Sequence, residues 1–327
     1  MAADLTASDV PTSCGIDGSY LVERLLSTDL AAFAALAIEG ITPPSEKRFW
    51  PEPRHRAKIF SVSHHESTQQ MIRGLMMANE LDLAKNAPHD VVMLDYGLRT
   101  PTIYLNNATS NFGKSPSAEL RDAFAEQFAA GLTAYAEITA GVKRDKVYAG
   151  LPKYSTLREL TLKLGLPGEY DDRTLSTFIL NPGEYLGPFP MGSWDDMHLT
   201  IPKELAARAP AVEGLRDDVL EHLGNKASVL YYKPRAYLPA FRIEVPQAVA
   251  GNSHRLGTVL RAVEFQCASP GIFEPFPLYL ADRMVKHLSG AFPAFRQAVT
   301  NEMATRHDGD VGEIYLAMHS YRSEGGR

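Results

Sequence analysis

The sequence predicts an α/β fold in which helices cover an open β-sheet. Residues 89–95 form a short, continuous apolar run that ends in an acid, a pattern typical of a buried central strand. Longer stretches, such as 118–139, carry apolar residues at helical intervals. Strands and helices alternate along the 327 residues without an internal repeat or a clear linker, and this favours a single α/β domain.

The first hundred residues are predicted to contain two strands and two helices. A strand covers 14–20, and the Ala- and Leu-rich segment 21–38 has the apolar spacing of a helix. Pro, Ser and charged residues at 42–53 indicate an irregular excursion on the surface. A second helix is expected over 68–84, before the strand at 89–95.

The rest of the chain continues the alternation. The helix over 118–139 is expected to have Ser115 as its N-cap and Pro116 at its first position. Within the single domain, 1–327, surface insertions are expected at about 41–58 and 185–225, followed at the C-terminus by a short frayed tail. Further strands are predicted at 146–150, 175–180, 227–233 and 241–245, and further helices at 256–265, 277–288 and 293–306.

The composition limits the classes of function. A net charge of −6 counts against a protein that holds DNA unaided, because sequence-independent affinity for DNA comes mainly from Lys and Arg. The two cysteines, Cys14 and Cys267, have no CxxC spacing, which excludes a zinc ribbon and a disulfide framework. No apolar run approaches the ~20 residues that span a bilayer, and the N-terminus lacks the pattern of a secretory signal. We therefore expect a cytoplasmic protein without a membrane partner.

Two aspartates are candidates for chemistry, because each lies in or at the end of a predicted strand. Asp17 occurs in Gly-Ile-Asp-Gly-Ser, and Asp95 occurs in Val-Val-Met-Leu-Asp-Tyr-Gly. Two ionised carboxylates on neighbouring strands would repel each other, and a divalent cation between them would remove that repulsion. Two-metal nucleases use such acids to activate water and to stabilise the leaving oxygen. Alternatively, each Asp serves only the turn that it makes with its neighbouring Gly.

A third carboxylate is expected from the predicted helix over 68–84. Leu75 and Met76 belong to the apolar face of this helix, and Glu80 borders that face one turn beyond Met76. A carboxylate in this position could reach the ends of the strands. Alternatively, Glu80 is a solvated residue on the flank of the helix.

Four short motifs occur in a fixed order along the chain, and together they resemble the NurA nucleases. They are Ile-Asp-Gly-Ser at 16–19, Met-Leu-Asp-Tyr-Gly-Leu at 93–98, Phe-Arg-Ile-Glu-Val-Pro at 241–246 and Phe-Pro-Leu-Tyr-Leu-Ala-Asp at 276–282. The NurA nucleases are the prokaryotic partners of the HerA hexameric ATPase, and the resemblance runs from about Gly15 to about Arg306. It implies a ribonuclease-H-like mixed sheet flanked by helices, Mn²⁺- or Mg²⁺-dependent cleavage of DNA, and a homodimer seated on the ATPase ring.

The resemblance also extends to individual acidic residues. Asp17 matches the family's first metal-binding Asp. Asp95 matches the Asp of a later strand, although the Tyr-Gly that follows it differs from the family's usual motif. Glu80 is the best candidate for the family's helical Glu. Asp282 stands where the family has a late His. An Asp binds a hard cation as well as a His does, but an ordinary Asp is ionised at neutral pH and would not replace a His in proton transfer.

Three further residues are candidates for the site or for DNA contacts. Tyr232 lies in a strand that resembles the one carrying a functional Tyr of the family; alternatively, it only packs on the sheet. Arg242 is a candidate for contact with a DNA phosphate; alternatively, it forms a plain surface pair with Glu244 on the same strand face. Lys153 is a similar candidate for phosphate contact.

These features predict a divalent-metal-dependent DNA nuclease. Asp17, Asp95 and Glu80 would hold Mn²⁺ or Mg²⁺, and Asp282 would complete the site. The resemblance implies work beside a HerA-like ATPase, in DNA end processing and repair or in antiviral defence. Two alternatives stay open: a catalytically degraded adaptor subunit that keeps the dimer and ATPase contacts, and an unrelated metal-dependent hydrolase on a ribonuclease-H-like scaffold.

Overall fold

The structure, a computed structural model, describes residues 10–41, 50, 54–165, 170–192 and 197–326. These residues contain nine strands and eleven helices. The strands are β1 (Ser13–Arg24), β2 (Asp29–Glu39), β3 (His55–Val62), β4 (Val91–Leu94), β5 (Val147–Gly150), β6 (Tyr185–Pro190), β7 (Ala227–Tyr232), β8 (Phe241–Pro246) and β9 (Arg322–Gly326). The helices are α1 (Ser67–Asn86), α2 (Thr100–Phe112), α3 (Ala118–Ala140), α4 (Glu159–Lys163), α5 (Asp172–Ile179), α6 (Lys203–Arg208), α7 (Val212–Asn225), α8 (Gln247–Ala250), α9 (Ser253–Gln266), α10 (Phe276–Arg306) and α11 (Val311–Ala317). None of the described helices has an apolar stretch long enough to cross a lipid bilayer.

The strands form one mixed sheet in the order β3-β2-β1-β4-β5-β8-β7-β6. Strand β1 is antiparallel to β2 and parallel to β4, and β4 is parallel to β5. The other edge of β1 is shared by two strands. Strand β4 pairs with its beginning as far as Ile16, and β9 pairs with its end from Tyr20 onward. Residues 17–19 lie between these two pairings, at an interruption in the sheet.

Helices cover both faces of the sheet, and alternate residues of the central strands point to different layers. In β4, Val92 and Leu94 belong to the core shared with α1 and α3, whereas Val91 and Met93 belong to the core shared with α9. Helix α10 covers β1 and β2 on the α9 side. This alternation, which follows from the two-residue repeat of a strand, decides from which side each functional side chain approaches the site.

The segment 21–38, predicted as a helix, is instead the β1–β2 hairpin, and that prediction is wrong. Eleven residue pairs join the two strands, from Cys14 opposite Glu39 to Arg24 opposite Asp29. Both faces of β2 are covered, so Ala31 and Ala32, which point to opposite sides, are fully buried. A strand buried on both faces lacks the alternation of apolar and polar residues by which a strand is recognised.

Local sequence patterns also led to wrong predictions for several other elements. The strand predicted at 175–180 is instead the second half of helix α5 with its C-cap, Leu180. Asp171 caps the start of this helix by accepting a hydrogen bond from the Thr174 N–H. Helix α3 begins at Ala118 with Ser117 as its N-cap, not with Ser115 and Pro116. The two helices predicted at 277–288 and 293–306 are one helix, α10, which contains Pro293. Helix α2 was not predicted from the sequence.

Two segments predicted to lie outside the sheet contribute strands to it. Residues 323–326 of the expected frayed tail belong to β9, which pairs with β1. The proposed insertion 185–225 contains β6, α6 and α7, and β6 pairs with β7 at the end of the sheet. The excursion predicted at 42–53 lies outside the described residues, apart from Trp50. Within the proposed insertion 41–58, the residues from His55 onward begin β3.

Candidate functional site

Asp17 and Asp95 lie side by side because their strands are parallel and in register. Ile16 pairs with Leu94, so the residue that follows each of them reaches the same level of the sheet. Strand β4 ends there, which leaves the Asp95 carboxylate at the interruption beside β1. Both carboxylates are almost fully buried, with 2% and 3% exposure. The prediction that the two acids come from neighbouring strands is therefore confirmed by the sheet register.

Helix α10 brings a third carboxylate to the pair. At Gly15 a Cβ atom would lie 2.6 Å from the carbonyl carbon of Pro277, so the absence of a side chain lets the first turn of α10 approach β1 directly. Asp282 lies further along the same helix, above the strand acids. Oxygen atoms of Asp17, Asp95 and Asp282 all lie within 4.8 Å of one another.

Lys153 and Glu274 complete the cluster, and the sequence did not predict this arrangement. The Lys153 Nζ atom lies 2.9 Å from Asp95 Oδ2, 3.0 Å from Asp282 Oδ1 and 3.2 Å from Glu274 Oε2. A second ammonium, that of Lys286, approaches Asp282 Oδ2 at 2.7 Å from the solvent side. The Lys153 ammonium therefore forms ion pairs with three carboxylates at once.

The charges of the cluster set the protonation of its outer members. Burial raises the pKa of the Asp282 carboxyl, but hydrogen bonds from Lys286 and Lys153 outweigh that effect and bring the pKa below its ordinary value. Burial raises the pKa of the Glu274 carboxyl above its ordinary value, and Lys153 offsets only part of this increase. Asp282 is consequently ionised at neutral pH and available as an anionic ligand.

Glu80 approaches from the other side of β1. It is buried, with 1% exposure, and its Oε1 atom occupies the space where a side chain on Gly18 would begin. The sheet alternation places Gly18 toward α1 and Asp17 toward α10. Burial raises the pKa of the Tyr96 hydroxyl well above its ordinary value, and the charges of Glu80 and Asp17 add to the increase. Glu80 is thus near the site, but it is not one of the three carboxylates that converge within 4.8 Å.

Arg242 is buried, which contradicts the alternative of a plain surface pair. Its Nε donates to Glu244 Oε1 at 2.8 Å, and its Nη1 donates to the Tyr231 hydroxyl at 2.9 Å. Glu244 Oε2 accepts a 2.8 Å hydrogen bond from the backbone N–H of Leu98, in the turn after Asp95. Arg242 and Glu244 are 3% and 5% exposed. The pair therefore ties strand β8 to the turn that follows the strand acid.

Tyr232 packs on the sheet, as the alternative to a functional role predicted. It is fully buried in the apolar core between the sheet and α9. Burial raises the pKa of its hydroxyl, and the charged groups that act on it are chiefly Glu264 and Arg235, not the three aspartates. The structure does not bring Tyr232 into the carboxylate cluster.

Lys153 and Glu274 were missed as members of the acid cluster, although one signal was present in the sequence. Lys153 follows the end of β5 as Asp95 follows the end of β4, and the Leu151 N–H donates to the Leu94 carbonyl at 2.8 Å. A charged residue soon after a second parallel strand indicates the same edge of the sheet. The loop residue Glu274 has no comparable local signal. A cavity of about 240 Å³ adjoins the cluster, and Lys153 and Glu274 line it together with Arg173, Arg242 and the exposed ring of Phe273.

Comparisons with known proteins identify the fold. No protein-family profile and no curated protein matches the chain. Among solved structures, the chain is similar to the NurA nuclease from Sulfolobus solfataricus, with a TM-score of 0.57 and 15% identity over 92% of this chain and 86% of that one. It is also similar to a second NurA crystal structure, with a TM-score of 0.51 and 13% identity over 92% of this chain and 90% of that one. The predicted α/β fold, a mixed sheet flanked by helices, is confirmed, and it is the NurA fold.

Proposed function

We propose that this chain is a divalent-metal-dependent nuclease that hydrolyses phosphodiester bonds in DNA. The observation that carries the proposal is the convergence of Asp17, Asp95 and Asp282 within 4.8 Å at an interruption of the central sheet. The chain shares its fold with the NurA nucleases. The adaptor alternative expects a degraded site, whereas here the acids of two strands and a helix meet.

The residues of the cluster fit a hard divalent cation. Carboxylate oxygens are the ligands that Mg²⁺ and Mn²⁺ prefer, and ligand oxygens around one such ion lie within the separation found here. The ammonium of Lys153 already stands between Asp95 and Asp282, which shows that the cluster attracts positive charge. Asp17, Asp95 and Asp282 would hold the ion. Glu80 would strengthen the binding of the ion through its negative charge, from the other side of β1.

The chemistry follows from this set of groups. When bound, a divalent ion would supply Lewis-acid stabilisation of the charge that develops on the phosphate. During hydrolysis, a water oxygen forms a bond to phosphorus, the bond from phosphorus to one sugar oxygen breaks, and that oxygen takes the proton that the water loses. Asp282 cannot donate this proton at neutral pH, because its lowered pKa keeps it ionised. Its role is therefore to bind the cation.

The proposal extends to partners. With a net charge of −6, the chain lacks an excess of the basic residues that hold a phosphate backbone. We infer that it works as a homodimer with a HerA-like hexameric ATPase, which would keep DNA at the site. DNA end processing and repair, and defence against invading DNA, are the settings in which such a pair would act.

The experiment that tests the function compares two isosteric variants with the wild type. We expect Mn²⁺-dependent degradation of linear DNA to fall by about 10²-fold or more in Asp17→Asn and Asp95→Asn, as is typical when a group that stabilises transition-state charge is removed. The control is Asp217→Asn, which alters an exposed ion pair on α7. Chelation by EDTA should stop the reaction, and circular dichroism should show that every variant is folded. Wild-type rates in Asp17→Asn would refute the proposed site.

A further inference from the structure

The position of Lys153 differs from that of a lysine that waits for a DNA phosphate. Three carboxylates surround its ammonium at 2.9–3.2 Å, and its side chain is only 22% exposed. To approach a DNA phosphate closely, the ammonium would have to move away from carboxylates with which it forms ion pairs. Removing one partner of a buried ion pair is costly, because the other charge is left buried without compensation.

The backbone also holds Lys153 in place. The loop that carries it starts at Leu151, whose N–H donates to the Leu94 carbonyl at 2.8 Å. The Lys153 carbonyl itself accepts a hydrogen bond from the Arg173 guanidinium, which also donates to the Ala240 carbonyl at 3.0 Å. The loop is thus tied to β4 on one side and to α5 and the start of β8 on the other.

We propose that the Lys153 ammonium takes the place of a second metal ion, so that this site binds one divalent cation rather than two. The inference rests on the proposed nuclease function and deepens it. In two-metal nucleases, two cations about 3.5–4 Å apart share the carboxylates and the phosphate. Here Lys153 contacts two of the three converging aspartates. The single divalent ion would be held by Asp17, Asp95 and Asp282, with the exposed Lys286 ammonium giving way at Asp282 Oδ2.

The charges of the cluster support one ion. The Lys153 ammonium places one positive charge beside Asp95, Asp282 and Glu274. A second divalent ion would add two positive charges beside a fixed ammonium, and like charges at such short distances repel strongly in a buried site.

The test counts bound Mn²⁺ in the full-length protein without relying on activity. Isothermal titration should give one Mn²⁺ per wild-type chain, and electron paramagnetic resonance should show an isolated ion without coupling to a second. In Lys153→Met and Lys153→Gln, which remove the ammonium, we expect two ions per chain and a coupled spectrum. Lys153→Arg keeps the positive charge and should still bind one ion.

Lys286→Met is the matched control, because it removes an ammonium that contacts Asp282 from the solvent side. It should bind one Mn²⁺, as the wild type does. All titrations are repeated with thymidine 5′-monophosphate, because a phosphate is the ligand that would complete a second metal site. Thermal melting of each variant verifies that it is folded. Two neutral substitutions of Lys153 are used so that the test remains possible if one of the two variants does not fold.

The outcomes separate this inference from the nuclease proposal. Two coupled ions in the wild type, with or without the nucleotide, would overturn it, and so would a single ion in both neutral variants of Lys153. An absence of Mn²⁺ binding in the wild type would overturn it together with the metal dependence of the proposed function. One ion in the wild type and two in the neutral variants would support it, even if no DNA substrate were cleaved.

Discussion

At the scale of single residues, the site depends on carboxylates that the fold buries and then holds together. An ionised carboxylate is costly to bury unless it is hydrogen-bonded, paired or bound to a metal. Asp17 accepts a 2.8 Å hydrogen bond from the Gly18 N–H, and Asp95 is paired with Lys153. The Lys153 ammonium therefore supports the folded site in the absence of a metal, and it also limits how much positive charge the site accepts.

The role of Glu80 can be tested through the glycine that makes room for it. A Cβ atom at position 18 would overlap Glu80 Oε1 and lie 2.9 Å from Met76 Cγ, so Gly18→Ala must displace the Glu80 carboxylate. We expect Gly18→Ala and Glu80→Gln each to weaken Mn²⁺ binding measured by titration. Because both act on the same carboxylate, the loss in the double variant should be smaller than the sum of the two single losses. Unchanged Mn²⁺ affinity in both single variants would assign Glu80 a structural role only.

Arg242 is expected to matter for stability more than for contact with DNA. Arg242→Met leaves the buried Glu244 carboxylate without its guanidinium partner, and breaking a buried ion pair in this way typically costs about 3–5 kcal/mol. The free energy of unfolding from urea denaturation should fall by that order. The double variant Arg242→Met/Glu244→Gln should recover part of the loss, since it removes the unpaired charge. A loss of DNA affinity at wild-type stability would contradict this and favour phosphate contact.

At the scale of elements, strand β1 organises the site because its side chains face both layers and because it pairs with three strands. Its Gly15 permits the approach of α10, its Asp17 enters the cluster, and its Gly18 accommodates Glu80. Strands β4 and β9 share one edge of β1 and leave residues 17–19 between them. The acids of the site thus lie where sheet pairing is interrupted, and where side chains from both layers can approach.

The contact between β1 and α10 yields a prediction about packing. In Gly15→Ala the new methyl group would lie 2.6–2.9 Å from backbone atoms of Pro277 and Leu278, and backbone cannot move aside as a flexible side chain can. We expect a loss of about 1–3 kcal/mol in the free energy of unfolding, as for other overpacked sites. The shift of α10 should also move Asp282 away from the strand acids and weaken Mn²⁺ binding.

Gly257→Ala is the matched control for this substitution. Gly257 lies within helix α9, and a Cβ atom there would meet nothing within 4 Å. Alanine should therefore stabilise the protein by roughly 0.5–1 kcal/mol, through its higher helix propensity. If Gly15→Ala were as stable as the wild type and bound Mn²⁺ normally, the close approach of α10 to β1 would not be needed to place Asp282.

At the scale of the whole molecule, the charge of the chain sets its behaviour toward DNA. A net charge of −6 predicts weak binding of DNA by the isolated protein. A ring-shaped ATPase that delivers DNA to the site would replace intrinsic affinity with a high effective concentration. The same reasoning applies to a homodimer that encloses the strand between paired surfaces.

We therefore expect a cognate HerA-like ATPase with ATP to increase the rate of DNA degradation by one to two orders of magnitude, since effective concentration raises avidity by about 10²-fold or more. The assay compares digestion of linear duplex by the nuclease alone, by the pair without ATP and by the complete system. Asp17→Asn in the complete system measures any background from the ATPase preparation. Equal rates in the three reactions, with tight DNA binding by the nuclease alone, would indicate an enzyme that works without this partner.

The sequence by itself determined the strand that carries Asp17, the strand before Asp95, helices α1 and α3, and the α/β class, because these depend on short-range apolar patterns. It also predicted that the two acids come from neighbouring strands. It could not predict the β1–β2 hairpin, since burial on both faces removes the alternation that identifies a strand. The pairing partner of β9 lies some three hundred residues away in the chain, at β1.

Only the tertiary structure decided which charges meet. Lys153 comes from the loop after β5, Glu274 from the loop before α10 and Asp282 from α10 itself, and no local pattern relates them. The energy of such a cluster depends on distances between side chains that are remote in sequence and on the low dielectric of the place where they meet. For the same reason, the sequence suggested that Lys153 contacts DNA, whereas the fold directs its ammonium toward the carboxylates.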